Sequence, residues 1–313
     1  MDITGFKSFI QRWTTIALLN YQQARTGSMI PDLAYVYDNT TLRENPVSFE
    51  QTFFSVGVFR FADEITSTGA LQQVPWVVPL EGYGAAVPFN VIDLDRPNTL
   101  ARIEQVAPTI GPKLEQKKLA MMLDVFRKNA TCYDGRDFFD GSHKHPANLG
   151  TFSNLLAPNW VNPAVPTVAE AISFLDEAAL ALAYNMQVDY EAEEVSEERL
   201  LVVQVNSQAM ASVFKRINTR ATFDANTETN PYFRKLRIYL DRRPAAGTEN
   251  YVRVLDPIPN GPRPIVLVVD KEPSGLEVFD KHSFGNQSIA YGMSSIFGVK
   301  PLHPQAAVEG RPT

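Results

Sequence analysis

The sequence predicts an α+β protein, and three observations carry that prediction. Helical periodicity is concentrated in a few long stretches, above all residues 5–24 and 113–129. Between them, residues 47–94 are rich in β-branched and aromatic side chains and are punctuated by glycine and proline, which is a strand pattern. From Thr167 onward, short helices and short strands alternate as a separate unit.

The first helix has a stripe of Phe6, Ile10, Trp13 and Ala17, widened by Phe9 and Ile16. It is expected to stop near Gly27, with Pro31 barring continuation. Such a stripe must be buried, either on the helix's own domain or on a neighbouring subunit. Strands follow at residues 47–61, 74–80 and 85–94, set off by Gly69, Pro75, Pro79, Gly82, Gly84 and Pro88. Proline cannot donate to a ladder, so these strands are edges or a two-stranded ribbon, either a protruding hairpin or an irregular sheet margin. A lone hairpin is marginal in water, so a protruding one needs a partner surface.

The next helix is expected to be broken early by Pro108, Gly111 and Pro112, then to run unbroken over residues 113–129. Leu114, Lys118, Met121, Met122, Val125 and Phe126 are read as one face, and Lys117, Lys118, Arg127 and Lys128 as decorating the other side, so Lys118 is counted with both. Residues 132–162 read as an irregular loop dense in Gly, Asp, Asn, His and Pro. A run of that length is functional or ordered by a partner. Thr167, with Glu170 three residues on, has the form of a capping box ahead of Val168, Ile172, Leu175, Ala179 and Leu182. An acidic run, residues 191–198, is most simply a solvated face. Strands are expected at 200–205, 236–240, 251–255 and 265–269, the last apolar throughout and therefore central. Ser207 is placed to cap a helix carrying Met210, Val213, Phe214 and Ile217, and residues 291–299 alternate loosely before a Pro301 and Pro304 tail.

Composition narrows the function classes. Among 313 residues, 44% are hydrophobic, enough for a core and against wholesale disorder. With 29 basic and 35 acidic side chains the net charge is −6, which argues against a protein whose main task is wrapping nucleic acid. Cys132 is alone, so no internal disulfide forms and a reducing compartment fits. Asp2 stands where a signal peptide would be basic, and no stretch reaches 18 uninterrupted apolar residues, so the expectation is a soluble chain made inside the cell. Proline is in excess, at 22 residues against roughly 5% in average chains. A compact bundle or a tightly wound α/β enzyme has little use for it.

Catalytic chemistry finds little support. His143 and His145, with Asp134, Asp137 and Asp140 upstream, form the one cluster of metal-competent side chains, which allows a metal-dependent hydrolase as a second reading. The aspartates recur every third residue, unlike an EF-hand, and turn-forming Asx residues explain them more simply. Cys132 near His143 is weak evidence for a thiol nucleophile. Gly82-Tyr83-Gly84 is too short to cradle phosphate, and the common nucleotide-binding and hydrolase motifs are absent. Residues 213–263 hold ten basic side chains: Lys215, Arg216, Arg220, Arg234, Lys235, Arg237, Arg242, Arg243, Arg253 and Arg263. Arginine suits subunit contacts as well as phosphate, and subunit contact is the preferred reading over nucleic acid.

The order of parts carries a resemblance. An N-terminal arm, a long hairpin, a long helix, a loop and a separate α/β unit together resemble the Hong Kong 97-type capsid fold of tailed phages. The local likeness is to the major head subunit of Mu-like phages and prophages. Residues 133–140 (Tyr-Asp-Gly-Arg-Asp-Phe-Phe-Asp) followed by His143 and by residues 148–154 are similar to that family's Asp-Gly, Phe-Phe-Asp, His-Pro and Ser-Asn segment. Lys144 and His145 here separate His143 from Pro146. Residues 61–65 resemble its acidic element, 198–203 with the helix 208–217 its Leu-Val-Val passage, and 291–299 its C-terminal strand.

The resemblance implies a domain plan. Residues 1–46 form the N-terminal arm, and 47–100 the extended hairpin loop with strands of the peripheral domain. Residues 101–165 form the spine helix and peripheral domain, 166–270 the axial domain, and 271–313 a return to the peripheral domain with a C-terminal tail. It also implies a major capsid protein that self-assembles through hexamers and pentamers into an icosahedral shell around double-stranded DNA, without sequence-specific contact. No enzymatic activity, catalytic residue, cofactor or metal is implied, and no membrane. Scaffold, portal and decoration proteins are the further partners, with a separate scaffold expected. Location in the virion follows, after assembly in the host cytoplasm. A head-completion or tail-adaptor protein, which forms rings of fixed subunit number, is the third reading.

Overall fold

Helix α1 occupies Ile3–Thr26 in the computed structural model and stops ahead of Gly27. The structure describes residues 3–39, 47–53, 72–90, 97–144, 150–185, 200–222, 229–241, 250–256, 263–283 and 286–312. Pro31 does not simply end the first helix: it sits in the first turn of a short helix α2, Ile30–Leu33, where a missing N–H costs nothing. Strand β1 follows at Ala34–Asp38, then β2 at Val47–Phe53, β3 at Gln72–Val78 and β4 at Glu81–Asn90. Helix α3 spans Pro97–Arg127. Short strands β5 (His143–Lys144), β6 (Thr151–Phe152) and β7 (Leu155–Leu156) precede helix α4, Val168–Asn185. Next come β8 (Leu201–Val205), helix α5 (Gln208–Thr219), β9 (Leu236–Leu240) and β10 (Val252–Leu255). The chain ends with β11 (Ile265–Lys271), β12 (Glu277–Ser283), β13 (Asn286–Pro301), a 3-10 turn Pro304–Ala306 and β14 (Ala307–Gly310).

The predicted capping box is present. Glu170 N–H donates to Thr167 Oγ1 at 3.2 Å, and Thr167 N–H donates back to Glu170 Oε2 at 2.7 Å. Ser207 caps α5 by accepting from Met210 N–H. Residues 54–71, which include the expected acidic element at 61–65, and the acidic run 191–198 lie outside the described residues.

Two compact units emerge. The first comprises Met1–Ser48, Val77–Leu123 and Leu267–Lys300. Its sheet runs β1-β11-β13-β12, and β4 lies on β13 antiparallel from Ser288↔Asn90 to Phe297↔Glu81. Ala290 pairs with both Phe279 of β12 and Pro88 of β4, so those two strands take opposite edges of β13. Pro88 accordingly stands on an edge strand, as its missing donor requires. The apolar segment 265–269 is central as expected, and β1 and β13 are its neighbours. Helices α1 and α3 cover this sheet through Ala17, Tyr21, Ile110, Leu114 and Met293. The first helix thus buries the end of its stripe on its own unit.

The expected break in α3 does not occur. Pro112 has no N–H to offer the carbonyl of Pro108 one turn earlier, and the Asn20 side chain of α1 supplies that hydrogen bond at 3.2 Å. Gly111 is where α1 crosses: a Cβ there would lie 2.6 Å from the Ala17 carbonyl oxygen and 2.7 Å from Tyr21 Cβ. Both features that looked like breakers serve the helix crossing.

The second unit comprises Phe49–Trp76, Asp124–Val266 and Pro301–Thr313. Its sheet runs β7-β14-β10-β8-β9, with β8 and β9 parallel and β10 antiparallel to both β8 and β14. The stretch after Pro301, expected to be a tail, supplies β14 as an inner strand. Helices α4 and α5 bury Phe174, Leu175, Leu182, Met210 and Phe214 against Val203, Val205, Val252, Val254 and Val308. A fully buried Val or Leu side chain stabilises by roughly 1.5–3 kcal/mol, so this layer is the unit's main store of apolar burial. Among the described residues β2 and β3 pair only with each other, as a two-stranded ribbon carrying Pro75.

Candidate functional site

Residues 145–149 lie outside the described residues. The rest of 132–162 is irregular as the composition predicted, broken by the two-residue strands β5, β6 and β7, and it is ordered from within its unit. Phe138 and Phe139 are buried and pack edge-on to each other, and Phe126 joins them at 5.1 and 5.6 Å between ring centroids. Asn154 has no exposed surface and uses both ends of its side-chain amide. It donates to the carbonyls of Phe138 (2.6 Å) and Pro304 (3.0 Å), and its Oδ1 accepts from Asp140 N–H at 2.9 Å. Asp134 and Asp140 make the expected Asx turns, accepting from Arg136 N–H and Ser142 N–H.

His143 is fully buried. Its Nδ1 lies 2.9 Å from Asp134 Oδ2, its Nε2 lies 3.0 Å from the Phe138 carbonyl, and its ring stacks on Phe152. With both ring nitrogens in hydrogen bonds, none remains to coordinate a metal, and the metal-dependent hydrolase reading loses its first ligand. His145 lies outside the described residues. Among the described residues no group of three or more His, Cys, Asp or Glu side chains is placed to hold a metal ion. Burial alone would raise the Asp134 carboxyl; hydrogen bonds from Arg136 N–H, His143 and Lys144 N–H outweigh it and hold the group below the usual carboxylate range. Cys132 is buried, and burial with nearby Asp134 and Asp137 pushes its thiol up, the opposite of what a nucleophile needs. Gly82-Tyr83-Gly84 is simply part of edge strand β4.

Two buried ion networks escaped the sequence reading. In the first unit Lys118, counted with the cationic side of its helix as well as with the apolar face, is 2% exposed and donates to Tyr21 OH (2.7 Å) and Glu272 Oε2 (2.9 Å). Its ammonium sits 5.7 Å from the Phe297 ring centroid, and Glu272 also pairs with Arg25 at 3.4 Å. In the second unit the register sets Arg253 between Gln204 and Glu309 on the sheet face away from α4 and α5. Its Nε donates to Glu309 Oε2 at 2.6 Å and an Nη donates to the Phe126 carbonyl at 3.3 Å. The rings of Tyr251, Phe139 and Phe126 stand 3.9, 5.2 and 5.6 Å from the guanidinium carbon. Arg127 adds a pair with Asp241, which also accepts from Tyr251 OH at 2.8 Å. Each network ties separated segments of one unit together, and none has the open, convergent geometry of a catalytic centre.

Of the ten basic residues singled out, Arg253 is thus internal, while Lys215, Arg216, Arg220, Arg234 and Arg237 are exposed and Lys235 and Arg263 half-buried. Arg242 and Arg243 lie outside the described residues. No helix among the described residues is long and apolar enough to cross a membrane.

These two units, the long helix and the ribbon define the Hong Kong 97-type fold. Solved structures with the same architecture include a virus-like particle from Pyrococcus furiosus, 15% identical with a TM-score of 0.53 over 96% of this chain and 98% of that one. A capsid structure of Cyanophage P-SCSP1u is 14% identical with a TM-score of 0.52, covering 90% of this chain and 87% of that one. A chain from Mycobacterium phage Patience is 13% identical with a TM-score of 0.54, covering all of this chain and 89% of that one. No protein-family model and no curated protein matches the sequence.

Proposed function

We propose that this chain is the major shell subunit of a tailed-phage-like particle: copies assemble through rings of five and six into a closed icosahedral shell around double-stranded DNA. One observation carries the reading. Inside a fold shared over nearly the whole chain with a virus-like particle and with phage capsid structures, β2 and β3 form a ribbon paired only with itself among the described residues. A two-stranded ribbon is marginal in water, so it gains stability on a neighbour's surface, and closed shells supply neighbours on every side.

The segments take the roles of the domain plan. Residues 1–46 serve as the N-terminal arm and 47–100 as the extended loop with peripheral strands. Residues 101–165 serve as spine and peripheral domain, 166–270 as axial domain, and 271–300 as the return, while the stretch after Pro301 adds its strand to the sheet of the second unit. The 31 residues of α3 make a rod of about 47 Å at 1.5 Å per residue, the length scale of a spine. The finer assignment is to the Mu-like head subunits, supported by the Asp-Gly, Phe-Phe-Asp and Asn154 segment that forms the ordered loop. The role is structural and not enzymatic. Assembly takes place in the host cytoplasm, and scaffold, portal and decoration proteins are the further partners of the particle.

Negative-stain microscopy tests this directly, on cells expressing the chain alone and together with the other head proteins of its genome. Closed shells are the expected result. A chain that stays monomeric at high concentration in both settings ends the reading, and rings of one fixed size transfer it to the head-completion class.

A further inference from the structure

The end of α5 and the segment leading into β9 form one stitched corner of the second unit. Asn218 holds it from one side: its carbonyl accepts from Arg234 N–H at 3.0 Å and its Oδ1 from Leu236 N–H at 2.9 Å. Asn230 holds it from the other, donating to the carbonyls of Ile217 (2.5 Å) and Arg220 (2.6 Å). The corner presents Lys215, Arg216, Arg220, Arg234 and Lys235, four of them exposed and Lys235 half-buried. Residues 200–223 and 229–240 contain no aspartate or glutamate. The two acidic residues in the interval, Asp224 and Glu228, lie outside the described residues.

Helix stability accounts for part of this. Cations at a helix C-terminus complement its dipole, which covers Lys215, Arg216 and Arg220. It does not cover Arg234 and Lys235, which follow the helix. Arg234 is moreover held at φ 59°, a left-handed conformation that a non-glycine residue adopts at a cost of about 1–3 kcal/mol. Its guanidinium is laid over the Phe233 ring, 4.9 Å from the centroid. A costly backbone conformation that holds an arginine out at the surface, among like charges, is evidence of a use outside the unit.

The charge balance points to the partner. Removing these five from the 29 basic residues leaves 24 against 35 acidic, a remainder of −11 on the rest of the chain. Copies with a net charge of −6 repel one another, so close association needs a place where opposite charges meet. A duplex would meet the same remainder as a repulsion, with one phosphate charge for about every 1.7 Å of its axis. Arginine is also enriched at protein contacts, where its fork pairs with carboxylates bidentately. We propose that this corner is an interaction surface for the acidic surface of a second copy of this chain. The proposal rests on the shell-subunit reading and names the charged contact it uses.

The test is sedimentation velocity and negative-stain microscopy of the full chain with its head proteins, over a range of salt concentrations. It compares wild type with the charge-reversed Arg216→Glu, Arg220→Glu, Arg234→Glu variant and the neutral Arg216→Gln, Arg220→Gln, Arg234→Gln variant. Circular dichroism checks the fold, and the neutral variant decides if the reversed one does not fold. The expected result is a threshold for association that rises with salt in wild type. It should rise at least about tenfold in the neutral variant and further on reversal, as removing close charge pairs requires. Shells that form equally well from all three proteins overturn this contact and leave the shell-subunit reading intact, whereas absence of shells from wild type removes both. A fluorescent duplex supplies the other arm. Salt-dependent duplex binding that the neutral variant loses while assembling normally overturns the proposal in favour of nucleic acid.

Discussion

In each unit a buried cation faces a carboxylate, Lys118 in the first and Arg253 in the second, and the two solutions differ in how far they close. Lys118 is enclosed, but its partner Glu272 keeps 31% of its side chain exposed and shares it with the 56% exposed Arg25. Arg253 and Glu309 are both sealed, at 5% and 3%, with three aromatic rings around the guanidinium. An open pair can be re-solvated when one member is lost. A sealed pair leaves an uncompensated charge inside the protein, so the same deletion costs more in the second unit. The difference also suits the proposed roles: the first unit keeps its arm on a latch that water can reach, while the second locks its sheet to its loop.

The largest effect is therefore expected at Arg253. Arg253→Ala strands Glu309 with only the half-exposed Arg311 at 2.7 Å, frees the Phe126 carbonyl and opens a cavity among aromatic rings. The loss is about 3–5 kcal/mol, the range for removing one partner of a buried pair. Hydrogen exchange should rise across residues 252–255 and 307–310 and stay unchanged in α1. Equal loosening of both units would dissolve the distinction drawn between them.

Acid sharpens the contrast by sign. His303 in the second unit is half-buried, its Nδ1 accepts from Gln305 Nε2 at 3.1 Å, and desolvation lowers its pKa from 6.5 to about 4. Between those values the unfolded chain binds a proton that the folded chain refuses, so stability falls as pH drops through that window and is unaffected above it. At about 1.4 kcal/mol per pH unit the loss approaches 3 kcal/mol near pH 4. Asp134, held low, adds to the acid loss: its contribution is present above the ordinary carboxylate range and fades as pH falls through its depressed value. Glu115 in the first unit acts oppositely. Burial raises it, against the lowering influence of Lys118 and Ser28, so the folded form takes its proton early and gains stability as pH falls through that raised value. His303→Gln should flatten the melting-temperature profile between pH 6.5 and 4; an unchanged slope would show that His303 is not the group responsible.

Lys118 comes next. Lys118→Met keeps the apolar stem against Phe297 and removes the ammonium, leaving Glu272 to Arg25, Tyr21 and water. A loss of about 1–2 kcal/mol is expected, in the range of a single charged hydrogen bond and well below the Arg253 value. Urea denaturation of the two variants side by side ranks them, and a Lys118 effect as large as that of Arg253 would mean that the exposure of Glu272 is irrelevant.

How much of this was legible beforehand depends on whether a feature is local. The Thr167–Glu170 box, the Ser207 cap and the edge placement of Pro88 follow from hydrogen-bonding rules confined to a few residues, and all three were readable. Val252, Arg253, Val254 and Leu255 even show by alternation that Arg253 opposes the apolar face. That Glu309 stands across from it depends on a register between strands 56 residues apart, which one sequence does not encode visibly. The irregular loop at 132–162 was legible from its glycines and aspartates, which are turn chemistry, but what orders its described residues was not, because Asn154 and the Phe pair act through tertiary contacts. Helix α3 was misjudged for the same reason: the bond that excuses Pro112 comes from Asn20, 92 positions away by number and in another helix.

That crossing supplies the smallest and most diagnostic test. Gly111→Ala improves helix propensity by about 1 kcal/mol, so an exposed or undocked α3 would become more stable. If α1 is seated as described, the new methyl meets the Ala17 carbonyl oxygen at 2.6 Å, Tyr21 Cβ at 2.7 Å and Tyr21 N at 2.9 Å. Two of those three atoms are backbone, so no rotamer change relieves the clash and α1 must shift as a body. Overpacking of this kind costs about 1–3 kcal/mol, and the net loss should be about 1 kcal/mol. Faster exchange over residues 11–26, with the Tyr21 bridge to Lys118 and Glu272 weakened and the second unit untouched, is the expected pattern. A stabilised variant would show that α1 does not rest on α3, and with that the latch half of the comparison would fall.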